Sequence, residues 1–232
     1  MGKPAQRRLI RKLNLELFLS QVKPNLAPDA KLEQYTLSES AAATMLYLAA
    51  YQFGAIVGKR IVDLGCGTGR LALGAAFMGA ESVVGVDIDK NAVKVAFENS
   101  VNVGFKDRAD WVTGDIDVVT GKFDTAVQNP PFGVQKRNAD RRFIEKALEL
   151  VDTVFSLHNH PAFDTRLIDK LNASRGQPLL VEATSFMQRF VGERGGRIKA
   201  VYALPLFIPR MFDFHAKAKQ EIVIDLYVIK KE

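Results

Sequence analysis

The chain has 232 residues, 47% of them hydrophobic, enough for one sizeable core or two modest ones, and α/β folds of this length often form one domain. Its 32 basic residues against 26 acidic ones give a net charge of +6 and a pI near 9.4, which suits an acidic partner such as RNA or DNA and equally a well-solvated surface. A single cysteine, Cys66, excludes a disulfide framework and a cysteine-rich zinc site, and His158, His160 and His215 make no familiar metal signature. Charges interrupt the N-terminal apolar positions, unlike a signal peptide, and no run of about 18 or more residues both lacks charge and reads as a membrane span, so the expectation is a soluble, cytoplasmic protein.

Arg7 to Val22 places apolar residues at Leu9, Leu13, Leu17 and their neighbours, with Arg7, Arg8, Arg11 and Lys12 elsewhere, and predicts an amphipathic helix. The prolines of "KPNLAPDAK" end it. A second helix is expected over Glu39 to Phe53, capped by Ser38 and apolar nearly all round. From Arg60, short apolar runs alternate with helical patterns: the strand "RIVDL", a helix from Arg70 to Met78, the strand "SVVGVD", a helix from Lys90 to Val101, then "ADWVTGD" and "FDTAVQ". This alternation argues for a parallel sheet with helices on both faces. Further on, "TVFSLH" reads as a fifth strand, "PAFDTRLIDKLNASRG" as a helix ended by Gly176, and "RIKAVYALPL" and "EIVIDLYVIKK" as late strands.

Four strand ends carry the chemistry. "VDLGCGTGR" puts Asp63 at the end of a strand and Gly65, Gly67 and Gly69 in the turn that opens a helix, where glycine lets backbone amides approach a ligand. A dinucleotide fingerprint needs a third glycine where Arg70 stands. The spacing instead resembles the first motif of class I methyltransferases that use S-adenosylmethionine; a purely structural tight turn is the plainer reading. Asp87 ends the second strand some twenty residues on, where a carboxylate can accept both ribose hydroxyl hydrogens; an ordinary helix cap is the alternative, with Asp89 competing for that role. Asp115 follows the third strand. The fourth ends at "NPPF", Asn129 to Phe132. Pro130 and Pro131 remove backbone donors and hold the chain extended, Asn129 offers an amide oxygen, and Phe132 offers a flat face for a base. The Asn129 oxygen and the Pro130 carbonyl together suit the two hydrogens of an exocyclic amine or a carboxamide; a rigid surface turn is the bland alternative. Cys66, inside the glycine turn, reads as a small buried side chain and not a nucleophile.

The longer pattern, "LEQYTLSESAAATML", "DLGCGTGRLALGAAFMGA", "VGVDID", "FDTAVQNPPFGVQ", "VFSLH" and "FHAKAKQEIVIDLYVI", resembles the archaeal and eukaryotic methyltransferase-like family that forms N6-methyladenosine in small-subunit ribosomal RNA. The resemblance runs from about Lys31 to the C-terminus. It implies a helical extension over residues 1–30 and a class I methyltransferase domain over 31–232, an α/β Rossmann-like fold with a seven-stranded, mostly parallel sheet and an antiparallel last strand. It implies S-adenosylmethionine as cofactor, held by Gln34, Leu37, Asp63, Gly65, Gly67, Thr68, Gly69, Arg70, Asp87, Ile88, Asp115 and Ile116. Ile88 and Ile116 would enclose the adenine ring, and Asp115 would accept from its amino group. Leu37 stands where the family has a threonine. Asn129, Pro130, Pro131 and Phe132 become the catalytic tetrapeptide, with no metal.

Lys136, Arg137, Arg141 and Arg142 follow that tetrapeptide and can hold phosphates, with His215 and Lys217 a second basic patch; a solvated helix start is the alternative for the first group. The substrate implied is structured, ribosomal RNA. Glutamine-amide methylation of a translation factor, DNA adenine methylation, and noncatalytic RNA binding are the other readings. The family also implies, for some members, a small zinc-binding activator at the sheet edge; without it, a monomer or homodimer is expected.

Overall fold

The computed structural model describes residues 9–25, 37–132, 139–161, 165–174, 176–209 and 219–232. Helices α1 (Lys12–Leu19) and α2 (Glu39–Tyr47, continuing as a π-helical turn over Leu48–Gln52) precede the sheet. Then come β1 (Arg60–Leu64), α3 (Arg70–Met78), β2 (Ser82–Asp87), α4 (Lys90–Asn102), β3 (Ala109–Thr113), β4 (Thr125–Gln128), α5 (Ala139–Leu150) and β5 (Thr153–Asn159). The last part contains α6 (Thr165–Ala173), β6 (Leu179–Val181), α7 (Ser185–Gly192), β7 (Gly196–Pro209) and β8 (Lys219–Lys231).

The strands form one sheet in the order β3-β2-β1-β4-β5-β8-β7-β6. Pairing is parallel from β3 through β5 and antiparallel from β5 to β8, β8 to β7 and β7 to β6. The expected seven strands are therefore joined by an eighth, the three-residue β6 at the outer edge. Chain order reverses between β1 and β4, and in open α/β sheets the crevice beyond such a reversal is where ligands bind.

Alternation along each strand divides the core in two. Ile61, Val83, Val127 and Phe155 face α1, α2 and α3, while Val62, Val86, Ala126 and Val154 face α5 and α7. Ser38 caps α2 as expected, its Oγ accepting from Ala41 N at 3.3 Å.

Helix α1 corrects the sequence reading. Leu9, Leu13 and Leu17 are exposed, and the buried residues are Leu15, Phe18, Leu19 and Val22. The buried set completes an i, i+3, i+4, i+7 stripe, whereas repeated steps of four alone drift off one helix face. The stripe packs on α2 and α3, where Gly74 lets Leu46 and Leu19 approach; a Cβ there would lie 2.4 Å from Leu46. Among the described residues no helix is long and apolar enough to cross a membrane.

Candidate active site

The register brings the motif residues to one level of the sheet edge. Leu64 pairs with both Val86 and Gln128, so the glycine turn, Asp87 and Asn129 leave three adjacent strands side by side. Asp115 lies two residues beyond the end of β3, whose Thr113 pairs with Asp87.

In the glycine turn, Gly65, Gly67 and Gly69 all have positive φ (72°, 53° and 85°), which explains why the sequence needs glycine at each. Above Gly67 the space is open: an added Cβ would meet nothing within 4 Å. Asp87 ties this turn to β2, its Oδ2 accepting from Gly67 N at 2.8 Å and its Oδ1 from Asp89 N at 2.9 Å. The cap of α4 belongs to Asp89, whose side chain accepts from Asn91 N at 2.8 Å, so Asp87 is not spent on ending that helix. Burial raises the Asp87 carboxyl pKa, with the amides of Asp89 and Gly67 opposing.

Asp63 is 1% exposed; its Oδ2 accepts from Ala72 N at 2.9 Å while Oδ1 has no partner among the described residues. Burial pushes its pKa up to about 8, the Ala72 amide opposing and the charge of Asp87 adding. Cys66 is buried and its thiol is also pushed up, by burial first and then by Asp63 and Asp87, so it behaves as packing, as expected.

Just past β4, Asn129 follows the fully buried Gln128, and its Oδ1 is buried with no hydrogen-bond partner among the described residues. Pro130 is buried; Pro131 and Phe132 are half-buried. An unpaired buried acceptor costs about 1–3 kcal/mol, a cost that a donor reaching this oxygen would offset.

The model of the methyltransferase small domain matches residues 39–155. The rRNA N6-adenosine-methyltransferase metl-5 of Caenorhabditis elegans is 34% identical over 215 residues, covering 88% of this chain and 90% of the relative. The crystal structure of a candidate RNA methyltransferase from Pyrococcus horikoshii superimposes with a TM-score of 0.78 at 33% identity, covering 95% of this chain and 98% of that one. The chain belongs to this methyltransferase family. A Synechocystis magnesium protoporphyrin IX methyltransferase solved with bound S-adenosylmethionine shares the fold, with a TM-score of 0.55 at 14% identity, covering 100% of this chain and 87% of that one.

The residues of this methyltransferase fit that cofactor. Asp63 Oδ1 is a buried oxygen lacking a donor, and the space over Gly67 is open. Ile88 is 57% exposed beside Asp87, while Ile116 is 5% exposed, in the 3-10 turn Ile116–Val118 that Asp115 caps. Thr68 is buried and contributes its carbonyl, which accepts from Asn99 Nδ2 at 3.0 Å.

Two arginines have partners that the sequence does not announce. Arg70 points away from the turn: its Nη1 donates to Leu37 O at 2.6 Å and pairs with Glu39 at 3.0 Å, and its Nη2 donates to Val22 O at 3.2 Å. Leu37 itself is buried, so its carbonyl, not its side chain, is the anchored group. Arg142 lies beyond the end of β3: Nη2 and Nη1 donate to Asp115 at 2.5 and 3.0 Å, and Nη2 also pairs with Asp117. Those hydrogen bonds raise the Arg142 pKa, so its charge is engaged within the chain. Arg141 instead lies over the Phe186 ring, 4.4 Å from its centroid. Gln34, Lys136, Arg137, His215 and Lys217 lie outside the described residues.

Three further residues shape the site without a motif signal. The Trp111 ring fills the space beside Gly69 and Gly85, where an added Cβ would lie 2.4 and 2.6 Å from it. Phe143 of α5 covers Gly65 in the same way, at 2.9 Å. Asn99, fully buried on α4, holds Thr68 O together with both the carbonyl and the amide of Lys23, each at 3.0 Å. Buried asparagine inside a helix was the available signal, since such a side chain must find partners.

Proposed function

We propose that this methyltransferase modifies adenine N6 in structured ribosomal RNA with S-adenosylmethionine as methyl donor. The observation that carries the reading is the sealed, unpartnered Asn129 Oδ1, one strand from the glycine turn. In this reading Asn129 Oδ1 and the Pro130 carbonyl accept the two hydrogens of the exocyclic amine. Holding both fixes the direction of the nitrogen lone pair and spreads the positive charge that develops there. Phe132 stacks the base. Asp63 receives the ammonium of the cofactor, Asp87 its ribose hydroxyls and Asp115 its adenine amine. When bound, the cofactor supplies an electrophilic methyl to which nitrogen bonds as the carbon–sulfur bond breaks onto sulfur; the extra proton on nitrogen then leaves to water.

Residues 1–30 are read as an extension and 31–232 as the catalytic domain, in the cytoplasm. A small zinc-binding activator is part of the proposal. Strand β3 is an outer strand, and Val112 on it and Phe97 and Val101 on α4 are exposed, which suits a partner that extends the sheet. Without that partner the protein acts as a monomer or homodimer.

Asn129→Ala tests the reading. Loss of one preorganised acceptor lowers kcat by about 10²–10³-fold, with cofactor affinity by titration calorimetry nearly unchanged. Equal loss of both would make Asn129 structural. Mass spectrometry of ribosomal RNA nucleosides from cells lacking the protein identifies the substrate: a drop in N6-methyladenosine is expected, and an unchanged level removes ribosomal RNA from the proposal.

A further inference from the structure

A cavity of about 310 Å³ opens beside the catalytic tetrapeptide, on the face of the sheet that carries α5 and α7. That volume suits a small planar ligand. Phe132, Phe186, Met187 and Tyr227 give it apolar walls, and Asp140 and His158 give it a polar side. Among the described residues neither Asn129 nor the glycine turn lines it, so it lies next to the transfer point and shares Phe132 with it.

Phe186 is built as a stacking platform. It is 48% exposed, yet its position is held: its ring stacks on Phe190 at 5.9 Å between centroids and 23° between planes, and Arg141 lies over it. Exposed aromatic rings paired with a planar guanidinium are surfaces on which nucleobases stack.

The polar side is ordered by a buried chain of hydrogen bonds. Gln128 Nε2 donates to Ser156 Oγ at 2.9 Å, and Ser156 Oγ lies 2.8 Å from His158 Nε2. The serine hydroxyl therefore has its own hydrogen to give to His158 Nε2, which leaves the imidazole proton on Nδ1. That nitrogen lies 3.2 Å from Asp140 Oδ2. With both ring nitrogens engaged and 5% exposure, His158 cannot read a ligand itself; it positions Asp140. Burial opposes the Asp140 charge, but the hydrogen bond from His158, helped by the backbone amide and the charge of Arg141, brings its carboxyl below the usual range. The Asp140 side chain remains 25% exposed.

We propose that this cavity is a second nucleobase subsite, which takes a nucleotide flanking the target adenosine, packs its base against the Phe186–Arg141 pair and accepts its exocyclic amine on Asp140. The proposal rests on the RNA reading above. It adds a preference: cytosine, adenine or guanine in this position is favoured over uracil, which has no exocyclic amine.

The test uses the full chain and single-stranded RNA nonamers with one adenosine among uridines, the neighbour on either side replaced in turn by cytidine, guanosine or an abasic nucleotide. Binding is followed by fluorescence anisotropy and transfer by initial rates. On one side of the adenosine, cytidine should bind about tenfold more tightly than uridine, the scale of one hydrogen bond to a charged acceptor, and the abasic nucleotide about tenfold more weakly. Asp140→Ala should abolish the cytidine preference while keeping the abasic penalty. Phe186→Ala, at an exposed position, should remove that penalty. Equal binding of cytidine and uridine on both sides, a preference that survives Asp140→Ala, or failure to bind any of these RNAs overturns the subsite. Neighbour-dependent binding without transfer would leave the subsite standing and sink the methyltransfer reading; transfer without neighbour dependence would do the reverse.

Discussion

At the ends of β2 and β3 the carboxylates of Asp87 and Asp115 are held by groups of the chain itself, two backbone amides for the first and an amide plus Arg142 for the second. At the end of β4, the Asn129 amide oxygen is buried without any such partner among the described residues. The first region is shaped before a ligand arrives, and a ligand there exchanges bonds that already exist. In the second, the desolvation of the acceptor is recovered only when a donor enters, so the site favours a nitrogen that still carries hydrogen over a fully substituted one. Positioning thus belongs to one side of the edge and selection to the other.

The largest expected effect separates shape from space within the glycine turn. Gly69→Ala puts a Cβ 2.4 Å from Trp111 at φ +85° and should lower stability by about 3 kcal/mol, read as a fall in Tm. Gly67→Ala meets no neighbour, and its φ of +53° should cost only about 1 kcal/mol, while its methyl group enters the open space over the turn and weakens cofactor binding. A Gly67→Ala protein that binds S-adenosylmethionine normally would remove the cofactor from that space.

The contrast also marks what a sequence can show. The glycine turn, Asp87, Asp115 and "NPPF" are legible because each is a local feature at a strand end, and the alternation of strand and helix sets those ends in order. Trp111 is silent and Arg142 reads only as a phosphate contact, because their observed contacts run across the sheet edge, to Gly69 and Gly85 and to Asp115. Arg70 reads as part of the cofactor loop, yet its guanidinium reaches Leu37 and Val22. Strand β6 has three residues, too few for alternation to register. In α1 the eye follows Leu9, Leu13 and Leu17, but burial follows the stripe that meets α2 and α3.

Arg142 offers a smaller break in the comparison. It comes from α5, just downstream of the Asn129–Phe132 tetrapeptide, and occupies both oxygens of Asp115, so it stands between the two sides of the edge. Its side chain is 43% exposed, so the pair is worth about 1 kcal/mol or less. If Asp115 must release it to accept the adenine amine, Arg142→Ala should tighten the cofactor by up to about fivefold in calorimetry. A weaker cofactor would instead make Arg142 the group that aims Asp115.

The finest effect is a proton count at Asp63. Its pKa of about 8 in the folded, unliganded chain lies above the ordinary 3.8, so the group is mostly protonated at pH 7. A raised acid pKa contributes stability that is fully present below about 4 and lost as pH rises through about 8, so the unliganded protein should melt lower at pH 8 than at pH 5 on this account. An ammonium beside Oδ1 favours the carboxylate, because the opposite charge offsets the burial that raised the pKa. Cofactor binding at pH 7 should therefore release close to one proton, seen as a calorimetric heat that varies with the ionisation enthalpy of the buffer. The release should fade above pH 9 and vanish in Asp63→Asn. Unchanged release in that variant would assign the proton to another group, and no release at all would mean that Asp63 keeps its proton and meets the cofactor as a neutral acid.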